Sequence, residues 1–214
     1  MYINNFHGHG DCLGQTWYMA VDMQFCVFSP LIIYSLWKHP KCGLILSGCL
    51  MVIATCIPMA FSWADPEKAG FIGDSELIYG KPWGRFQPYL LGLLVGYYLY
   101  RTKKQPKLPQ NFMLNSLNWL LAAVIALSCI FGISKYSPVS MKSPSLAETV
   151  IYNGFNRLAW SCAVSWVIIA CIKKRGGPIN EFLSWSCFIP LARISISYPF
   201  YFGNIVAATV INSY

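Results

Sequence analysis

Charge is scarce in this sequence, and acid is scarcest. Asp and Glu together number 8, His numbers 3, and charged residues make up 11% of the 214 positions. A soluble domain carries roughly 25% charged residues, so a water-exposed globule is excluded. His7 and His9 stand with Asp11 in a polar N-terminal stretch, and His39 in a short basic turn. No metal site is expected from them, since a zinc site wants three or four ligands held on a frame. Cys-x-x-Cys pairs and zinc-type spacings are missing, which excludes the common redox and zinc-ribbon motifs. Missing too are a Ser-His-Asp spacing, a Gly-rich phosphate loop and a nucleotide motif. The first 15 residues have no basic start and no apolar core, so no signal peptide is expected there.

What is present is apolar. The chain is 56% hydrophobic with a mean hydropathy of +0.46. The net charge of +8 does not point to nucleic acid, because the cations cluster in short loops between apolar runs. Six runs approach the roughly 20 residues that span a bilayer. They are Trp17–Trp37, Cys42–Phe61, Trp83–Tyr100, Leu114–Ile133, Val150–Ile172 and Phe188–Ile211. Pro30 is expected to kink the first, Pro58 lies near the end of the second, and Pro190 and Pro199 interrupt the last. Barrel periodicity is missing, so the expected fold is all-α, a polytopic transmembrane bundle of about six helices. Residues 1–16 would form a luminal or extracellular segment and 17–214 the membrane domain.

Orientation follows from the cations. Lys38 and Lys41, then Arg101, Lys103, Lys104 and Lys107, then Lys173, Lys174 and Arg175 fall in alternate loops. All three clusters are placed on the cytosolic side. Asp11, Asp65, Glu67, Asp74, Glu76 and Glu148 fall opposite. The protein is expected to be integral and multi-pass, with plasma membrane and endomembrane both open. Most cysteines lie in the apolar runs, where they act as small hydrophobes. Cys12 lies on the oxidising side, a candidate for a disulfide.

Asp22 is the most informative residue. A carboxylate within a spanning helix costs roughly 2.5–3.5 kcal/mol on insertion scales. Tyr18 and Asp22 share a helix face with Phe25 and Ser29, while Gln24 takes another. Arg85 opens the third run, where it either snorkels to the interface or faces inward. Asn153, Asn156, Arg157 and Trp160 form a stripe on the fifth, and Arg193 lies in the sixth. Asp22 and Arg157 fall at matching depths. They would either pair to fix packing or line a substrate chamber, and the two roles are compatible. The candidate chamber residues are Tyr18, Asp22, Gln24, Arg85, Asn153, Asn156 and Arg157. Gly92-x-x-x-Gly96 would permit close helix approach.

Several stretches resemble one family. Cys12-x-x-x-x-Trp17-Tyr18-x-x-x-Asp22-Met23-Gln24-Phe25, followed by Ser29-Pro30, is similar to the nose-resistant-to-fluoxetine group of the acyltransferase-3 membrane proteins. So are Gly84-Arg85-Phe86-Gln87-Pro88-Tyr89, Asn156-Arg157-Leu158-Ala159-Trp160 and the segment from Gly176-Gly177-Pro178 to Arg193-Ile194-Ser195. The resemblance implies a bundle of about ten membrane helices that moves acyl groups at the membrane. This chain corresponds to the C-terminal part of that domain. The family's catalytic histidine lies in an earlier helix, and no residue here is assigned its role. Transfer of acyl groups by this stretch alone is therefore not expected.

Two functions follow from the resemblance. In the first, an acyl donor such as acyl-CoA, as co-substrate rather than resident cofactor, gives its acyl group to a luminal or lipid acceptor. The cytosolic cations would attract the CoA phosphates. In the second, the chamber only binds, as a carrier or receptor for lipids and hydrophobic small molecules. Membrane lipids are the expected partners in both.

Overall fold

A computed structural model describes residues 17–65, 78, 80–103, 112–132, 145–173 and 175–190. The N-terminal segment with His7, His9, Asp11 and Cys12 lies outside the described residues, as do most of the two long loops. So does the predicted sixth span beyond Pro190, with Arg193 and Pro199.

Among the described residues six helices follow in order: α1 Trp17–Lys38, α2 Pro40–Ala64, α3 Pro82–Thr102, α4 Phe112–Phe131, α5 Leu146–Ile172 and the short α6 Gly177–Leu183. The fold is an all-α polytopic helix bundle, with no strand among the described residues. Only 4 of the helices, α1, α2, α4 and α5, are both long and apolar enough to cross a membrane. The third predicted span is a full helix of 21 residues, but it carries Arg85 and Gln87 and falls below that apolarity. It packs against α1, α2 and α5, so its neighbours replace lipid as its surroundings. The seven residues of α6 were not expected to be helical. Pro178 suits the first turn, and Gly177 takes φ +50°, a backbone state that side chains disfavour.

Packing runs opposite to that of a soluble bundle. The buried face of α2 is Gly43, Ser47, Ala54, Thr55, Pro58 and Ser62. Leu44, Ile45, Val52 and Ile53 point outward. Small residues inside and large apolar ones outside are the membrane pattern, because lipid gives no hydrophobic gain for hiding leucine. The buried hydroxyls are satisfied within their own helix: Ser47 donates to the Gly43 carbonyl at 2.8 Å and Thr55 to that of Met51 at 2.9 Å. A Cβ at Gly43 would sit 2.6 Å from the Leu36 Cα, so the α1–α2 hairpin closes only over glycine. Ile32, Leu36 and Leu90 form the apolar core between α1 and α3. Above them Phe25 meets Phe86 and Tyr89, at centroid distances of 5.5 and 4.8 Å.

Pro30 removes the backbone donor that would satisfy the Cys26 carbonyl. Ser29 Oγ takes its place, donating to that carbonyl at 3.0 Å. At the start of α5, Ser145 and Glu148 form a reciprocal capping box. The helices alternate in direction, so Lys38, Lys41, Arg101, Lys103, Lys173 and Arg175 collect at one end. There Lys173 Nζ donates to the Tyr98 hydroxyl at 2.7 Å, and Asn115 Nδ2 to the Arg175 carbonyl at 3.3 Å.

Candidate functional site

At the other end the bundle is tied by neutral polar groups. The centre is Gln87, 1% exposed, on α3. Its Nε2 donates to the Ala54 carbonyl at 3.1 Å, the Thr55 hydroxyl at 3.2 Å and the Gly154 carbonyl at 3.0 Å. The first of these has a local cause. Pro58 lacks the N–H that would bond four residues back, which frees the Ala54 carbonyl. In lipid a bare carbonyl costs several kcal/mol, and Gln87 supplies the missing donor from another helix. Thr55 has already given its proton to Met51, so it can only accept here. Three acceptors around one nitrogen fix the orientation of the amide. Gln87 Oε1 is therefore the atom left without a partner among the described residues.

Two further ties flank this junction. Asn153 Nδ2 donates to Ser62 Oγ at 2.9 Å, and Ser62 donates to the Pro58 carbonyl at 2.8 Å. On the α4 side, Asn156 Nδ2 donates to the Tyr152 hydroxyl at 2.8 Å, which donates to the Cys129 carbonyl at 3.3 Å. Asn156 Oδ1 is buried and has no partner among the described residues. Arg157 lies against the start of α3, where its Nη1 is 3.2 Å from the place of a Gly84 Cβ. The Ile78 carbonyl closes on the same glycine. Only glycine lets that carbonyl, the α3 start and the guanidinium meet.

The predicted stripe on α5 thus divides. Asn153 turns to α2 and Arg157 to α3, the Asn156 side chain bonds Tyr152 of its own helix while its backbone carbonyl accepts from Cys129 of α4, and Trp160 is exposed. Arg85 shares the α3 start with Gln87 and has its Nε buried. Tyr18 and Asp22 are exposed on α1, one turn above the Phe25 cluster. Among the described residues Asp22 forms no ion pair with Arg157. Gln24 stands at one end of a groove of about 660 Å³ between α1, α2 and α3. Phe28, Leu31, Ile53, Ile57 and Trp83 line the groove, and Trp83 is held by stacking on Phe61 at 5.7 Å.

Sequence reasoning passed over Gln87, Thr55, Ser62 and Tyr152. Gln87 had a readable signal, a polar amide inside a helix of membrane length. Its partner was also foreshadowed by Pro58, whose missing donor must be supplied from somewhere. Chemically the site offers oriented amides, hydroxyls and a guanidinium. These can hold a carbonyl or hydroxyl in place.

An all-α bundle with a small-residue interior and this polar end is a membrane protein. The chain belongs to the acyltransferase-3 family, whose acyltransferase-domain model matches residues 2–208. It is 28% identical to nose resistant to fluoxetine protein 6 of Caenorhabditis elegans, over 91% of this chain and 26% of that protein. It is also 28% identical to regulator of hypoxia-inducible factor 1 of the same organism, over 48% of this chain and 24% of that protein. The chain thus spans about a quarter of the length of these curated relatives. No solved structure matches it.

Proposed function

We propose that this chain provides the acyl-holding part of a multi-pass membrane acyltransferase. The acyl chain of a donor such as acyl-CoA, or of a lipid, lies in the α1–α2–α3 groove. The carbonyl end is turned toward the polar end of the bundle. There Gln24 meets the head of the chain. Arg85, Asn153, Asn156 and Arg157 orient the acceptor or the thioester, with Tyr18 and Asp22 at the rim. The acceptor is a lipid or a luminal hydroxyl compound. The basic end faces the cytosol.

The observation that carries this reading is the groove itself. Its volume of about 660 Å³ falls in the range of small-molecule pockets, and its lining is apolar apart from Gln24 at one end. An acyl tail needs such a slot, with polar groups only where the ester or thioester sits. A photoreactive palmitoyl-CoA probe in membranes tests it. Labelling is expected on α1 and α2 peptides and should disappear in Ile53→Trp, which fills the slot. Labelling spread evenly over every outward helix, unchanged by Ile53→Trp, would refute it.

One observation favours a carrier instead. No lining residue of the groove titrates near neutrality, whereas proton transfer wants a positioned base. Transfer of radiolabelled acyl groups from acyl-CoA to membrane lipid separates the two. Turnover lost in Arg157→Gln supports the enzyme, and probe labelling with no turnover supports the carrier.

A further inference from the structure

A second groove, of about 680 Å³, runs between α1 and α3 on the other flank of α1. Its floor is Gly92 and Gly96, and a Cβ at either would meet nothing within 4 Å. That contrasts with Gly43, Gly84 and Gly154, which are pressed against neighbours. The glycine pair expected to seat a helix therefore seats none of the described ones. Leu36, Trp37, Tyr97 and Tyr100 form the walls.

The groove opens at the basic end. Lys38 follows Trp37 directly, with Nζ 3.1 Å from the Tyr34 hydroxyl. On α3, Arg101 follows the lining residue Tyr100, and its guanidinium is 5.9 Å from the Tyr97 ring. α3 contains no acid, and the single acid of α1, Asp22, is at the far end. A second copy seated here in parallel would bring Lys38 and Arg101 against their own images. An anion at the mouth would instead be met by both cations.

We propose that this groove is a binding site for an anionic phospholipid. Its acyl chains lie on the Gly92–Gly96 floor between Trp37 and Tyr97, and its phosphate sits between Lys38 and Arg101. The site is separate from the acyl groove and does not depend on the acyl-transfer reading. A basic side chain near an anionic lipid is worth about a fivefold gain in binding, so two give roughly a twenty-five-fold preference over a zwitterionic lipid.

Trp37 is a built-in reporter. The full chain in phosphatidylcholine nanodiscs is titrated with brominated phosphatidylglycerol or brominated phosphatidylcholine, and tryptophan quenching is followed. Quenching by the anionic lipid should begin at roughly twenty-five-fold lower content, and this excess should be missing in Trp37→Phe. It should also vanish in the double variant Lys38→Gln, Arg101→Gln, whose side chains are exposed and leave the fold intact. Gly96→Leu, which fills the floor, should lose it too. Equal quenching by the two lipids would overturn the proposal, as would an excess that survives the double variant. A Gly96→Cys variant that crosslinks to a second copy in the same nanodiscs would assign the groove to the chain itself.

Discussion

α3 and α4 differ in length by a single residue, 21 against 20, and in almost nothing else are they alike. α4 leans on α5 and turns Leu114, Leu117, Leu120 and Leu121 outward. α3 stands among three helices and carries Arg85, Gln87 and, where Ile78 and Arg157 close on its start, Gly84. By composition α4 would be chosen as a membrane span and α3 would not. The difference teaches that apolarity measures how much of a helix meets lipid. A helix whose neighbours are other helices is free to be polar, and its polar groups then hold the bundle together.

The contrast is sharpest at Gln87. Gln87→Glu sets a carboxylate against three acceptors and strands a buried charge, a cost of about 3–5 kcal/mol. Unfolding in mixed micelles should show this loss, and a variant as stable as the parent would mean that α3 is not screened. Gly154→Val comes next, since a Cβ there already lies 2.5 Å from the Met59 Cγ. Overpacking of that kind costs about 1–3 kcal/mol, and Met59→Ala in the same chain should recover part of it. Asn153→Ala removes the tie to Ser62, and hydrogen bonds between membrane helices average about 0.6 kcal/mol. A double-mutant cycle with Ser62→Ala should return that coupling; additive effects would show that the two act independently. The smallest change belongs to α4, where Leu120→Ala should shift stability by less than about 0.5 kcal/mol. If Leu120→Ala rivals Gly154→Val, α4 is a packed helix and the comparison fails.

Much of this architecture was legible. The apolar runs placed five helices to within a few residues, and the lysine and arginine pattern put the same loops at one end. The starts were harder. α5 begins at Leu146, not near Val150, because Ser145 and Glu148 cap it, a signal present in the sequence. α2 begins at Pro40, which needs no N–H in a first turn. The polar residues could be listed from the sequence, but not their geometry. Asn153, Asn156 and Arg157 share one helix, yet each meets a different neighbour, which spacing alone does not reveal. Asp22 drew notice through the cost of its charge, while the residue that joins three helices is an uncharged amide. The link of Gln87 to α2 follows from asking which donor replaces the one Pro58 lacks.

That replacement has a consequence for biogenesis. As α2 enters the bilayer, Pro58 leaves the Ala54 carbonyl without its usual backbone donor, the one that Gln87 of α3 replaces in the finished bundle. α3 brings the answering amide only after the loop between them has been made. α2 is thus an incomplete insertion unit that becomes comfortable in the bilayer on the arrival of its successor. The two are best regarded as one packet for the insertion machinery, and a mutation in α3 would register first as a fault in the handling of α2.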